Sequence, residues 1–237
     1  MKNGFTLIEV AIVLAVLALL IGGMLVPFSA QIEQQKIIDT QNSIDLIKEA
    51  LIGYAVANGR LPCPAQSATR GEQRTVCTLP ADRVGFVPWV TLGTPQLDSW
   101  GHLFRYSVSP QFASASQPIT LTASPDITIL TRDASGNLVY QSNCNNIPAV
   151  VLSHGKNGYG AANAQGISQM APPAANVDEI TNAGGATSFS GCASSNFVVS
   201  RTQVADAATN GGAFDDIVGW ISPYVLFNRM VSAGRLP

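Results

Sequence analysis

Glu9 directly precedes a run from Val10 to Ile32 that contains no charged residue, so a carboxylate stands at the edge of a long apolar segment. Ahead of it lie Met1-Lys2-Asn3-Gly4, a short head with one cation and a glycine at the junction with Phe5. This has the make-up of a cleavage site on the N-terminal side of the apolar segment. With Met1 to Gly4 removed, Phe5 would carry a new α-amino group four residues from Glu9, and such a cation on a neighbouring copy could neutralise the carboxylate in an apolar bundle. Pairing of that kind sets an axial stagger between subunits. The competing reading is a Glu9 solvated among lipid headgroups, because an interfacial carboxylate costs far less than the roughly 2.5 to 3.5 kcal/mol of a charge at the centre of a spanning helix.

The remaining residues with chemical potential are few. Cys63, Cys77, Cys144 and Cys192 are even in number and follow a segment predicted to carry them into an oxidising compartment, which favours disulfides. Three pairings are open; Cys63 to Cys77 with Cys144 to Cys192 is favoured, because each closes a loop without a strong helix or strand pattern. Zinc held by these cysteines with His102 or His154 lacks C-x-x-C or H-x-x-x-H spacing. Ser153-His154 suggests a nucleophile and base, yet adjacent residues on a strand point to opposite faces and no G-x-S-x-G elbow surrounds the serine. Gly155-Lys156-Asn157-Gly158-Tyr159-Gly160 lacks the pattern of a phosphate loop. Neither catalytic residues nor a cofactor site are assigned.

The element that must position Glu9 is a membrane-length helix. Val10 to Ile32 reaches roughly 35 Å at about 1.5 Å per residue, enough for a hydrocarbon core of about 30 Å. It is longer than a signal-peptide core, and no A-x-A site follows it. Lys2 on the short side places the N-terminus in the cytoplasm and the chain beyond about Ile32 outside it. Beyond Glu33, Ile37, Ile44, Ile47, Leu51 and Tyr54 form a helical stripe that ends at Asn58-Gly59. The expected division is a leader over 1–4, a transmembrane part over 5–32, an amphipathic part over 33–58 and one head over 59–237. In the head, Gly59 to Gln96 reads as an irregular connection. Short strands are expected at Leu103–Ser109, Ile119–Ala123, Ile127–Arg132, Leu138–Gln141 and Ala149–Ser153, forming an antiparallel sheet on the helix stripe. Gly160 to Asn196 reads as a long surface loop, Asp216 to Ile221 as a returning strand, and Ser222-Pro223 as the start of a short helix that stops at Gly234. A formal net charge of −2 with 12% charged residues gives no basic footprint for nucleic acid.

Gly4 followed by Phe5-Thr6-Leu7-Ile8-Glu9-Val10 resembles the N-terminus of type IV prepilins and of type II secretion pseudopilins. The resemblance implies cleavage between Gly4 and Phe5 by a prepilin peptidase, N-methylation of Phe5, and use of Glu9 in recruiting the subunit into a filament. It implies an α+β, pilin-like fold, with a long N-terminal helix packed on an antiparallel head and a bend or local melting near Pro27. The partners implied are the peptidase, other pilin or pseudopilin subunits and the bacterial inner membrane, with the head periplasmic. Gly59-Arg60-Leu61-Pro62-Cys63-Pro64 is similar to the start of the head in some pilin-like proteins. Asp98-Ser99-Trp100-Gly101 is similar to the Asp-Pro-Trp-Gly turn of major pseudopilins, with Ser99 in place of the proline. Ser153 to Gly158 and Phe214-Asp215-Asp216-Ile217 resemble, more loosely, parts of their calcium loop, separated here by a long insertion; only Asp215 and Asp216 would donate charge, and no metal is assigned. The expected role is a non-enzymatic minor filament subunit. The alternatives are a tip module for adhesion or DNA uptake and an anchored periplasmic enzyme.

Overall fold

The computed structural model describes residues 6–185, 189, 192, 196–206 and 208–236, with the side chains of residues 21–27 outside that description. The chain divides into two units, Met1–Ile38 and Asp39–Pro237. Helix α1, Leu7–Asn58, starts in the first and ends in the second. In the first unit most of the described apolar side chains lie open, with Leu7 90% and Leu19 77% exposed, and Ile37 is half-buried. The chain stays helical at Pro27, where loss of one backbone bond leaves the flanking bonds in place. In the second unit the stripe turns inward. Ile44, Ile47, Leu51 and Ala55 are buried and recur at three- and four-residue spacing on one face. Gly59 then adopts φ 72° while its N–H donates to the Ala55 carbonyl at 2.8 Å, a left-handed stop that glycine takes without a Cβ clash.

The head is an α+β arrangement. Strands β1 (Ala65–Ser67) and β2 (Arg70–Gln73) form a hairpin, and β3 (Val84–Phe86) follows a single 3-10 turn. Helix α2 (Trp89–Leu92) precedes β4 (Arg105–Val108), and α3 (Pro110–Ala113) precedes β5 (Ile127–Arg132) and β6 (Leu138–Tyr140). After β7 (Ala149–Ser153) come α4 (Val177–Asn182), β8 (Asn196–Val199), β9 (Ile217–Ile221) and α5 (Pro223–Ser232). The main sheet has the order β3-β4-β7-β9 and is antiparallel throughout. Gly219 of β9 lies so close to Ile44 of α1 that a Cβ would overlap the Ile44 side chain. On the opposite face, Val150 and Leu152 of β7 join Ile127, Ile129 and Val198 of the second sheet in one apolar cluster, against which Val218 and Trp220 of β9 pack. That second sheet, β6-β5-β8, pairs β5 to β6 antiparallel but β5 to β8 parallel.

Three expectations are corrected by this topology. Ile119–Ala123 is not a strand: Ile119 is buried, and its N–H donates to the Gly59 carbonyl at 2.8 Å, which fixes that segment as a crossing coil. The connection from Gly59 to Gln96 contains three strands and α2, too short and too closely flanked by proline to show an alternating pattern. The segment from Gly160 to Asn196 is not all surface loop, because α4 within it buries Asp178, Glu179, Thr181 and Asn182.

Candidate functional site

At the start of α1, Thr6 and Glu9 close a reciprocal cap. The Thr6 N–H and hydroxyl both donate to Glu9 Oε2 at 2.8 Å, and the Glu9 N–H donates to Thr6 Oγ1 at 3.3 Å. This is the capping-box geometry of a Thr-x-x-Glu tetrad, in which two otherwise unpaired amides at a helix start are satisfied. This local partner is additional to the assembly role expected of Glu9, and the Thr6-Leu7-Ile8-Glu9 spacing carries its signal. Gly4 and Phe5, the residues expected to flank the cleaved bond, lie outside the described residues. Residues 1–25 match the family described as the prokaryotic N-terminal methylation motif. That motif is the hallmark of type IV pilin and pseudopilin precursors. No curated protein and no solved structure matches the chain. Among the described residues, no helix is long and apolar enough to cross a membrane. The run behind the methylation motif includes residues 21–27, whose side chains lie outside the description.

In the head, the Asp98 turn is tied to two elements. Asp98 Oδ1 accepts from the N–H groups of Trp100 and His102 at 2.9 and 2.8 Å, and Gly101 takes φ 85°. Asp98 Oδ2 accepts from the Ser153 hydroxyl at 2.6 Å, while the Ser99 N–H donates to Thr40 Oγ1 of α1 at 3.2 Å. Ser153 and His154 are both buried, and they do not meet as nucleophile and base. The hydroxyl of Ser153 is engaged with Asp98, whereas His154 Nδ1 lies 3.4 Å from Asp216 Oδ1. His102, 3.7 Å from Asp98 Oδ2 and 3.1 Å from the Gly155 carbonyl, has its pKa raised mainly by Asp98.

Helix α4 delivers two acids into the head with opposite outcomes. Asp178 is neutralised: Arg132 donates to both of its oxygens at 2.7 Å, and Arg201 Nε pairs with Oδ2 at 2.7 Å. Glu179 instead joins Asp215 and Asp216, each offering an oxygen within 4.8 Å of the others. Amides hold part of this trio. Asn157 donates its N–H to Asp215 Oδ2 at 2.8 Å and its Nδ2 to Glu179 Oε1 at 2.7 Å, and Asn182 Nδ2 donates to Asp216 Oδ2 at 2.7 Å. Asp215 Oδ1 and Asp216 Oδ1 are buried without a hydrogen-bond partner. Burial, ahead of the neighbouring carboxylates, pushes the Asp215 pKa up to about 7. Three clustered carboxylate oxygens are the donor set a hard cation takes, and a proton shared near neutral pH would relieve the same repulsion. The structure thus sets Glu179 beside Asp215 and Asp216, the two acids of the loosely resembling loop for which no metal is assigned from sequence. Asn176-Val177-Asp178-Glu179, a capping residue followed by acids, was the available sign of the helix that carries it.

The described cysteines form two bridges, Cys63 to Cys77 and Cys144 to Cys192, and no cysteine is free. Cys63 and Cys77 are buried; Cys144 is exposed and Cys192 half-buried.

Proposed function

We propose that this chain is a non-enzymatic minor subunit of a type IV pilus or of a type II secretion-like pseudopilus. The observation that carries the reading is the methylation motif over residues 1–25. In this reading a prepilin peptidase cuts between Gly4 and Phe5, Phe5 is N-methylated, and Val10 to Ile32 holds the precursor in the inner membrane. Lys2 keeps the N-terminus cytoplasmic, and the head is periplasmic, where its two bridges are stable. The uncharged run and the open apolar side chains of the first unit support the anchoring. The size of the cysteine-bearing head favours a minor role over that of the bulk subunit.

Glu9 is the assembly residue in this reading. Thr6 donates to Oε2 through both its N–H and its hydroxyl, so the cap and an approaching ammonium from Phe5 of a neighbour address one carboxylate together. Mass spectrometry of the membrane-extracted protein tests the first step: the mature mass should begin at a methylated Phe5, and an intact Met1 or a cut beyond the apolar run would sink the processing. Glu9→Ala should leave cleavage intact and lower incorporation into sheared filaments. Normal incorporation would favour a solvated carboxylate with no role in assembly.

A further inference from the structure

Three Asn-Gly pairs lie within the described residues: Asn58-Gly59, Asn157-Gly158 and Asn210-Gly211. In such a pair the glycine nitrogen can attack the asparagine side-chain carbonyl carbon, because no Cβ on glycine hinders the approach. The three differ in how that nitrogen and the amide are held. The Gly59 N–H donates to the Ala55 carbonyl at 2.8 Å, and Asn58 Nδ2 donates to the Tyr54 carbonyl at 2.9 Å. The Gly158 N–H donates to the His154 carbonyl at 3.2 Å. The Asn157 amide is gripped at both ends, by Glu179 Oε1 at 2.7 Å and by the Tyr159 N–H at 2.9 Å. Among the described residues the Gly211 N–H meets no acceptor, and Asn210 has one bond, from Nδ2 to the Ser135 carbonyl at 3.2 Å. Asn210 is also exposed, so water and base reach it.

We propose that Asn210 is a site of spontaneous deamidation in the folded head, and that its isoaspartyl product loosens the tie between α4 and the sheet. The Gly211 nitrogen bonds to Asn210 Cγ, the Cγ–Nδ2 bond breaks, and the proton of the Gly211 N–H leaves with the amide as ammonia. Water then adds to either carbonyl of the cyclic imide, giving aspartate or isoaspartate. The isoaspartyl product carries one extra methylene in the main chain immediately before Gly211. That position has no room to move. A Cβ on Gly211 would overlap Asp178 Oδ2 and Arg132 Nε, and the Gly211 carbonyl accepts from the Asp178 N–H at 3.4 Å. A lengthened backbone there displaces Asp178 from Arg132 and Arg201, the pairing that anchors α4.

The test is peptide mapping of the full-length protein in detergent after prolonged incubation in mildly alkaline buffer, native and in urea. In the native protein the amide-to-acid mass shift should appear at Asn210 first. Asn58 and Asn157 should lag by up to about tenfold, since each must first release a hydrogen bond at the attacking nitrogen. In urea the three sites should convert at similar rates. Native conversion led by Asn58 or Asn157, equal native conversion at all three, or none at Asn210 overturns the site. For the consequence, the aged protein should melt at a lower temperature in proportion to its isoaspartate content, and Asn210→Gln should age without that loss. An unchanged melting temperature in isoaspartate-rich material overturns the loosening.

Discussion

Asp215 and His102 are head residues whose titration should be visible in stability between about pH 5 and pH 8, and both act in one direction. The folded state raises Asp215 from 3.8 to about 7, so between those values the native head holds a proton that the unfolded chain has released. Stability from this group therefore falls as pH rises through that window. His102, raised above 6.5 mainly by Asp98, contributes stability that is complete below 6.5 and is lost as pH rises through its folded value. Urea midpoints should accordingly be higher at about pH 5 than at about pH 8. Asp215→Asn should flatten the part of the slope below neutrality and leave the His102 part. A slope of opposite sign would mean that the carboxylates keep their charge and are neutralised another way. Calcium separates those cases: if the trio takes a hard cation, adding it should raise the midpoint at about pH 8 and have little effect at about pH 5, where a proton competes.

The elements were legible in the sequence where periodicity is strong. Ile44, Ile47 and Leu51 mark the buried stripe of α1 by spacing alone, and β5, β7 and β9 are short segments rich in β-branched and other apolar residues. Those elements lie at the core, so one burial pattern governs the whole segment. β8 and α4 were not legible for the opposite reason: their identity comes from distant partners. Asn182 shows how. Its Nδ2 donates to the Val199 carbonyl at 2.9 Å and its Oδ1 accepts from the Val199 N–H at 2.8 Å, so one side chain occupies both backbone groups of an edge strand residue. The same Nδ2 holds Asp216. Asn182→Ala would leave the backbone polar groups of Val199, a residue with no exposure, without these partners. The expected loss is about 2 to 4 kcal/mol by urea denaturation. Asn182→Asp should be no better, since it keeps the acceptor, removes the donors and sets a charge against Asp216. A loss below about 0.5 kcal/mol for the alanine variant would mean that water replaces the amide.

At the scale of the molecule, the two bridges differ in the property that governs thiol exchange, which is access to sulfur. Cys63 and Cys77 are 0% and 6% exposed, within the core beside α3, where each Sγ lies 3.9 Å from the Ala113 carbonyl. Cys144 is exposed and Cys192 only half-buried. Attack by an external thiolate needs an approach to one sulfur, so the outer bridge should open first while the head is still folded. It also spans the longer loop, with a sequence separation of 48 against 14. In the chain-entropy account these loops correspond to about 4 and about 3 kcal/mol. Limited reduction of the native protein, followed by alkylation and mass mapping, should therefore label Cys144 and Cys192 before Cys63 and Cys77. The partly reduced species should unfold at lower denaturant, and labelling of Cys63 and Cys77 should track global unfolding. Cys144→Ala with Cys192→Ala should reproduce that drop without reductant. Early or simultaneous labelling of the inner pair would show that the core around Cys63 opens below the global transition, and that burial in the static structure does not set the order.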